Sequence, residues 1–150
     1  MRFQDIVVGA VHRAGPREIG EAEIVEFARR YDPQPFHVDP AAAAQTRWRG
    51  LIASGWMTCA IAMELAVGSV LAGSDSFGSP GVEALRWERP VRSGDRLSLT
   101  LTVLEKRVAS AGGTGIVRWR WELENQRAER VMSMTATSFF DVAPAGTPRP

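Results

Sequence analysis

Apolar positions recur at helical spacing through the first half of the chain and alternate one by one through the second half. Ile24, Phe27, Ala28 and Tyr31 mark one face of a first helix. Gly20 can cap it, Glu21 and Glu23 suit its first turn, and Arg29 and Arg30 suit its end. Pro33 stops it, because the residue before a proline avoids the helical region. Asp39-Pro40 opens a short second helix over residues 41–46. Residues 55–71 form a long helix that is apolar nearly all round, as expected of an element wrapped on most sides.

Residues 7–13 read as an opening strand ended by Gly15-Pro16, and residues 73–81 as a Gly/Ser-rich loop. A strand follows over residues 82–88, with turn chemistry at residues 91–95. Leu97, Leu99, Leu101 and Val103 then alternate with polar residues, as do Val117, Trp119, Trp121 and Leu123. A last strand covers residues 130–140; Gly112-Gly113-Thr114-Gly115 and Asn125-Gln126-Arg127 make the intervening turns. The predicted fold is α+β: an opening strand, helices, then a four-strand antiparallel meander curling around one long α-helix. Residues 1–142 are expected to form one domain, and residues 143–150 a Pro/Gly-rich flexible tail.

Composition narrows the class. The 150 residues are 45% hydrophobic and 23% charged with a net charge of +1, so no overall field favours nucleic acid or an anionic membrane. Cys59 is the sole cysteine and cannot form an internal disulfide, which fits a reducing compartment. Residues 1–10 lack the basic start and apolar block of a secretory signal, and a cytoplasmic location is expected. The apolar run 56–72 is marginally short for a membrane span and carries Glu64, so it reads as the buried central helix. Glu64 is expected to pair with an arginine or to face solvent rather than react.

The chemistry concentrates in Tyr31-Asp32-Pro33-Gln34-Pro35-Phe36-His37-Val38-Asp39-Pro40, followed by Gly50-Leu51-Ile52-Ala53-Ser54-Gly55. Pro33 and Pro35 predict a stiff, non-helical loop that holds Asp32 and His37 toward one point. Spacing alone leaves open a plain helix-stop turn with a surface pair. Against that, an aspartate just past a helix C-terminus opposes the dipole and needs another reason to be there. Gly55 opens the long helix, whose first N–H groups are free and carry positive partial charge, so a carbonyl oxygen can approach them. The alternative is that Gly55 only permits tight packing. Ser54 makes no nucleophile elbow, since Ile52 stands where glycine is required. A metal centre at Asp32, His37 and Asp39 lacks a second histidine, and Asp39 is better explained as a helix cap. Arg47, Arg49, Arg86, Arg89 and Arg92 could meet a phosphorylated ligand, although scattered arginines are usually a solvated surface.

Asp32-Pro33-Gln34-Pro35-Phe36-His37-Val38-Asp39-Pro40 with the Gly50 to Gly55 segment resembles the hydratase signature of the MaoC-like dehydratases, the (R)-specific enoyl-CoA hydratases. Leu85-Arg86-Trp87-Glu88-Arg89-Pro90-Val91-Arg92-Ser93-Gly94-Asp95 resembles that family's second recurring stretch. The resemblance implies a hot-dog fold, paired subunits, and acyl thioesters of coenzyme A or acyl carrier protein as substrates. It implies a hydro-lyase of fatty acyl metabolism that needs no cofactor beyond the thioester carrier, and a homodimer or higher homo-oligomer.

Carried over by position, Asp32 and His37 match the catalytic pair and Gly55 matches the glycine whose N–H binds the thioester oxygen. Ser54, Trp56, Thr58 and Trp48 are candidate pocket residues, with Phe77 a further candidate wall. Two departures stand out. Gln34 replaces the usual asparagine, and Met63 stands where some members carry a serine that contacts the aspartate, with Thr58 a candidate substitute. A hot-dog thioesterase and a non-catalytic acyl-thioester-binding subunit remain the alternative functions.

Overall fold

The computed structural model describes residues 1–142; the predicted tail 143–150 lies outside them. A 3-10 turn, Phe3–Asp5, precedes strand β1, Val11–Glu18. Helices α1, Glu21–Tyr31, α2, Pro35–Val38, and α3, Pro40–Ala44, follow. The central helix α4 spans Gly55–Ala66 and runs on as a π-helical turn over Val67–Leu71. Strands β2, Ser76–Trp87, β3, Arg96–Val108, β4, Thr114–Glu124, and β5, Arg130–Asp141, complete the chain.

All five strands form one antiparallel sheet in the order β1-β3-β4-β5-β2. The expected α+β arrangement is present, but the meander holds for three strands only. The strand after the central helix pairs with β5 at the far edge rather than with β3. Alternation decides the faces. Leu97, Leu99, Leu101 and Val103 of β3 and Val117, Trp119, Trp121 and Leu123 of β4 are buried. They pack with Met57, Ile61, Ala62 and Ala66 of α4 in one core. Leu101 is fully buried in it. Leu101→Ala is expected to lower the unfolding free energy by about 3 kcal/mol, read as a lower urea midpoint at constant slope.

The sheet's other face is polar. There Arg118 bridges Glu105 and Glu83, while Arg130 bridges Glu88 and Glu122.

Three boundary expectations need correction. Gly15-Pro16 does not end the first strand but lies inside β1 as a bulge, where the register shifts between Ala14 and Arg17. Gly15 has φ +100°, and a Cβ there would sit 2.7 Å from the Leu97 carbonyl oxygen, so only glycine passes. Val7 and Val8 are exposed residues ahead of the strand, not part of it. The Gly/Ser-rich segment expected as a loop instead supplies the first half of β2. There it pairs with β5 through repeated register shifts, as an edge strand with one partner can.

The central helix is also less enclosed than its composition suggested. Its inner side meets the sheet, but Trp56, Met63 and Val67 are exposed, because a single chain covers one side of it.

Candidate active site

The site is built where α1 ends. Pro33 follows the helix, and Asp32 leaves helical geometry with its N–H still bonded to the Ala28 carbonyl at 2.8 Å. Pro35 does not extend the break, as the non-helical loop reading required. It opens the single helical turn α2, because its fixed φ suits a first helical position. That turn points His37 inward, where it is buried. Asp39 then caps α3, accepting from the N–H groups of Ala41 and Ala42 at 2.9 and 3.1 Å. Its carboxylate is therefore committed to structure. Among the described residues, no group of three or more His, Cys, Asp and Glu side chains could hold a metal ion.

Residues 51–54 run extended between α2 and the turn before β3. The Ile52 N–H donates to Phe36 O at 3.2 Å, and the Ala53 N–H to Val91 O at 2.8 Å. Arg92 fastens the preceding loop, its guanidinium donating to the carbonyls of Trp48 at 2.6 Å and Leu51 at 3.3 Å. This arginine was a candidate for a phosphate; it is spent on backbone instead.

The extended segment presents Ile52 O to His37 Nδ1 at 2.8 Å. A carbonyl oxygen can only accept, so Nδ1 carries the hydrogen and donates it. The other ring nitrogen, Nε2, then faces Asp32 Oδ2, 3.4 Å away. Asp32 is held from two sides: Ser54 Oγ donates to Oδ2 at 2.7 Å, and Gln34 Nε2 donates to Oδ1 at 2.8 Å. The Ser54 bond, followed by the Gln34 bond and the nearby His37, holds the Asp32 carboxyl below its ordinary range against a smaller opposing push from burial.

Ser54 thus plays a part that sequence reasoning assigned elsewhere. It was a candidate for the pocket wall, with Met63 or Thr58 standing where a serine would meet the aspartate. Ser54 is fully buried and binds Asp32 itself, while its Oγ also accepts from the Trp56 N–H at 3.2 Å and caps α4. Met63 lies on the exposed side of α4, and Thr58 Oγ1 donates to the Ser54 carbonyl at 3.3 Å.

The sign of the Ser54 effect gives a test. A carboxyl with a lowered folded-state pKa contributes stability above its ordinary value of about 4, and that contribution is lost as pH falls through the lowered folded value. Ser54→Ala removes the leading cause, so the Asp32 midpoint should move upward in a carboxyl-carbon NMR titration. Loss of the cap should also cost about 1 kcal/mol of stability.

A cleft of about 380 Å³ opens over this pair. Asp32, His37, Gly55, Trp48, Trp56 and Thr58 all line it, so most of the sequence candidates converge here. Phe77 does not; it stacks near Phe139 at a ring distance of 6.0 Å, toward the start of β2. Trp87 was missed, yet it lines the cleft and meets Trp56 edge-on at 5.4 Å. A Cβ on Gly55 would lie 2.5 Å from Trp87 Cε2, so tight packing is a real part of why glycine stands there. The Gly55 N–H itself donates to no described residue. It opens α4 with the partial positive charge of a helix N-terminus.

The remaining sequence candidates are structural. Glu64 is exposed and meets Arg17 Nε at 3.3 Å, as its pairing role required. His12 packs edge-on to Trp119. The glycines at 112 and 113 turn the β3–β4 hairpin. Among the described residues, no helix is long and apolar enough to cross a membrane.

The architecture has counterparts in solved structures. A MaoC-like dehydratase from Rhodospirillum rubrum is 37% identical, covering 94% of this chain and 97% of that chain with a TM-score of 0.86. The R-hydratase PhaJ1 from Pseudomonas aeruginosa is 27% identical, covering 99% and 94% with a TM-score of 0.74. The fold is therefore the hot-dog fold expected from the motif. Among curated proteins, the uncharacterized protein YdeM of Bacillus subtilis is 30% identical over 106 residues, 71% of this chain and 75% of that protein. The MaoC like domain model matches residues 2–122, which include both signature stretches and the whole Asp32–His37–Gly55 site, and the chain belongs to that family.

Proposed function

We propose that this protein adds water reversibly to trans-2-enoyl thioesters, giving (R)-3-hydroxyacyl thioesters carried on coenzyme A or acyl carrier protein. The observation that carries the reading is the facing of a carboxylate and an imidazole, Asp32 Oδ2 and His37 Nε2, 3.4 Å apart at the wall of an open cleft. A water in the cleft can touch both atoms at once and donate an O–H to the carboxylate. The pair then orients its oxygen lone pair toward a third point.

In the proposed reaction, the water oxygen bonds to C3 of the enoyl group while one of its protons passes to the Asp32–His37 pair. The C2–C3 π electrons shift to the thioester oxygen. The Gly55 N–H and the α4 dipole stabilise that charge; one such donor is typically worth about 3 kcal/mol. The enolate then collapses back to the thioester as C2 takes a proton from the pair. Asp32 suits the base role because Ser54 and Gln34 keep it ionised. The (R) product is supported by the likeness to the R-hydratase PhaJ1. The chemistry requires no cofactor.

The protein is further proposed to act as a homodimer. Strand β2 is an edge of the sheet, paired on one side only, and Val82 and Trp87 on it, like Trp56, Met63 and Val67 of α4, are exposed apolar residues. An antiparallel edge can pair with its own copy about a two-fold axis. Light scattering on the purified protein should give twice the chain mass.

The reaction is tested with crotonyl-CoA. The absorbance of the conjugated thioester should fall while a thiol-detecting dye stays colourless. Thiol release would instead identify a thioesterase. Binding without either change would identify a non-catalytic subunit.

A further inference from the structure

The cleft over Asp32 and His37 is not the only space along α4. A second cavity of about 250 Å³ lies further along the same helix–strand seam, with Met63, Leu71, Val82, Trp121, Met134 and Ala136 in its wall. Thr58 lines the first space and Met63 the second, so about 7.5 Å of helix separates them. Along β2 the order is matched: Val82 belongs to the second cavity and Trp87 to the first.

Of the β2 residues that line the first space, Trp87 is the one nearest to Val82 along the strand. Its ring lies on Gly55, where a Cβ would come within 2.5 Å of it, and edge-on to Trp56 at 5.4 Å. On the next turn of α4 its side chain reaches the half-buried thiol of Cys59. The indole is thus fastened to helix α4 at Gly55, Trp56 and Cys59, all on the site side of Met63.

Resting on the hydratase reading above, we propose that Trp87 is the residue that sets acyl chain length. It closes the reaction cleft behind a short acyl group and keeps a longer tail out of the apolar cavity beyond. The wild-type substrate class is accordingly short-chain enoyl thioesters. Removing the indole joins the two spaces into one apolar channel.

Calorimetry with butyryl-CoA and dodecanoyl-CoA tests this, because saturated thioesters bind without being hydrated. Wild-type protein should prefer butyryl-CoA. Trp87→Ala should improve dodecanoyl-CoA affinity relative to butyryl-CoA by about 10-fold or more, since even one methylene in an apolar pocket is worth about that much. Adding Ala136→Leu, which grows a side chain into the second cavity, should remove the gain.

Trp87→Phe, a smaller ring, should shift the preference in the same direction by less. It carries the test if circular dichroism shows Trp87→Ala unfolded. A folded Trp87 variant that changes both affinities in parallel, or wild-type protein that binds dodecanoyl-CoA as tightly as butyryl-CoA, would overturn the proposal. Crotonyl-CoA hydration is followed on the same wild-type sample. Selective binding without turnover refutes the proposed reaction and still supports the role of Trp87.

Discussion

Asp32→Asn should lower kcat for crotonyl-CoA hydration by about a thousandfold while leaving the fold intact. The amide matches the carboxylate in shape, and its oxygen can still accept from Ser54, so the cap of α4 survives. It loses the charge and one of the carboxylate's two acceptor oxygens. His37→Ala should fall by a similar factor, because it removes Nε2 from the same water. The double variant should be no worse than about tenfold below either single one, since both groups act on one proton transfer. Unchanged thermal midpoints would separate this loss from unfolding. A folded Asp32→Asn that keeps more than a tenth of wild-type kcat would remove Asp32 from the mechanism.

The second large effect is expected at Gly55. Gly55→Ala drives a Cβ to within 2.5 Å of the Trp87 ring, so the indole must move into the cleft it lines. Overpacking of this kind costs about 1–3 kcal/mol of stability. Hydration should fall by about a hundredfold, a loss of the size seen when an oxyanion donor is blocked.

Two reasons for the glycine then have to be separated: room for the indole and access for the thioester oxygen. Gly55→Ala combined with Trp87→Ala removes the clash. Stability should return toward that of Trp87→Ala, while hydration should stay at least about tenfold below it, because the methyl still crowds the N–H. Full recovery of hydration in the double variant would show that the glycine serves only the tryptophan.

What could be read from the chain alone was local. Gly20, Pro33 and Asp39 act on neighbours one to three residues away, and each cap or stop falls where its chemistry placed it. The alternating residues of β3, β4 and β5 fixed which face meets the helix, because burial on one face leaves no other register. The misses share a different cause. The Gly/Ser-rich start of β2 has no strand pattern of its own and becomes a strand only by pairing with β5, some sixty residues later in the chain. The bulge at Gly15 exists because the Leu97 carbonyl passes close by.

The site divides the same way. Asp32, His37 and Gly55 were legible because a signature carries them. Ser54 and Trp87 were not, since their roles depend on partners 22 and 32 residues away in sequence, Asp32 and Gly55. Ser54 did carry one signal: a serine immediately before a helix that opens on glycine is a cap, and a capping hydroxyl sits beside whatever lies over the helix N-terminus. For Trp87 no local pattern existed.

The central claim is that water held between Asp32 and His37 attacks C3 of an enoyl thioester. Reaction of crotonyl-CoA in water enriched in heavy oxygen, with mass analysis of the product, tests it directly. The account predicts an intact 3-hydroxybutyryl-CoA with the heavy atom in the C3 hydroxyl, formed by wild-type protein and lost in Asp32→Asn. Heavy oxygen in a released carboxylate, or an unlabelled and unchanged crotonyl-CoA, would contradict it.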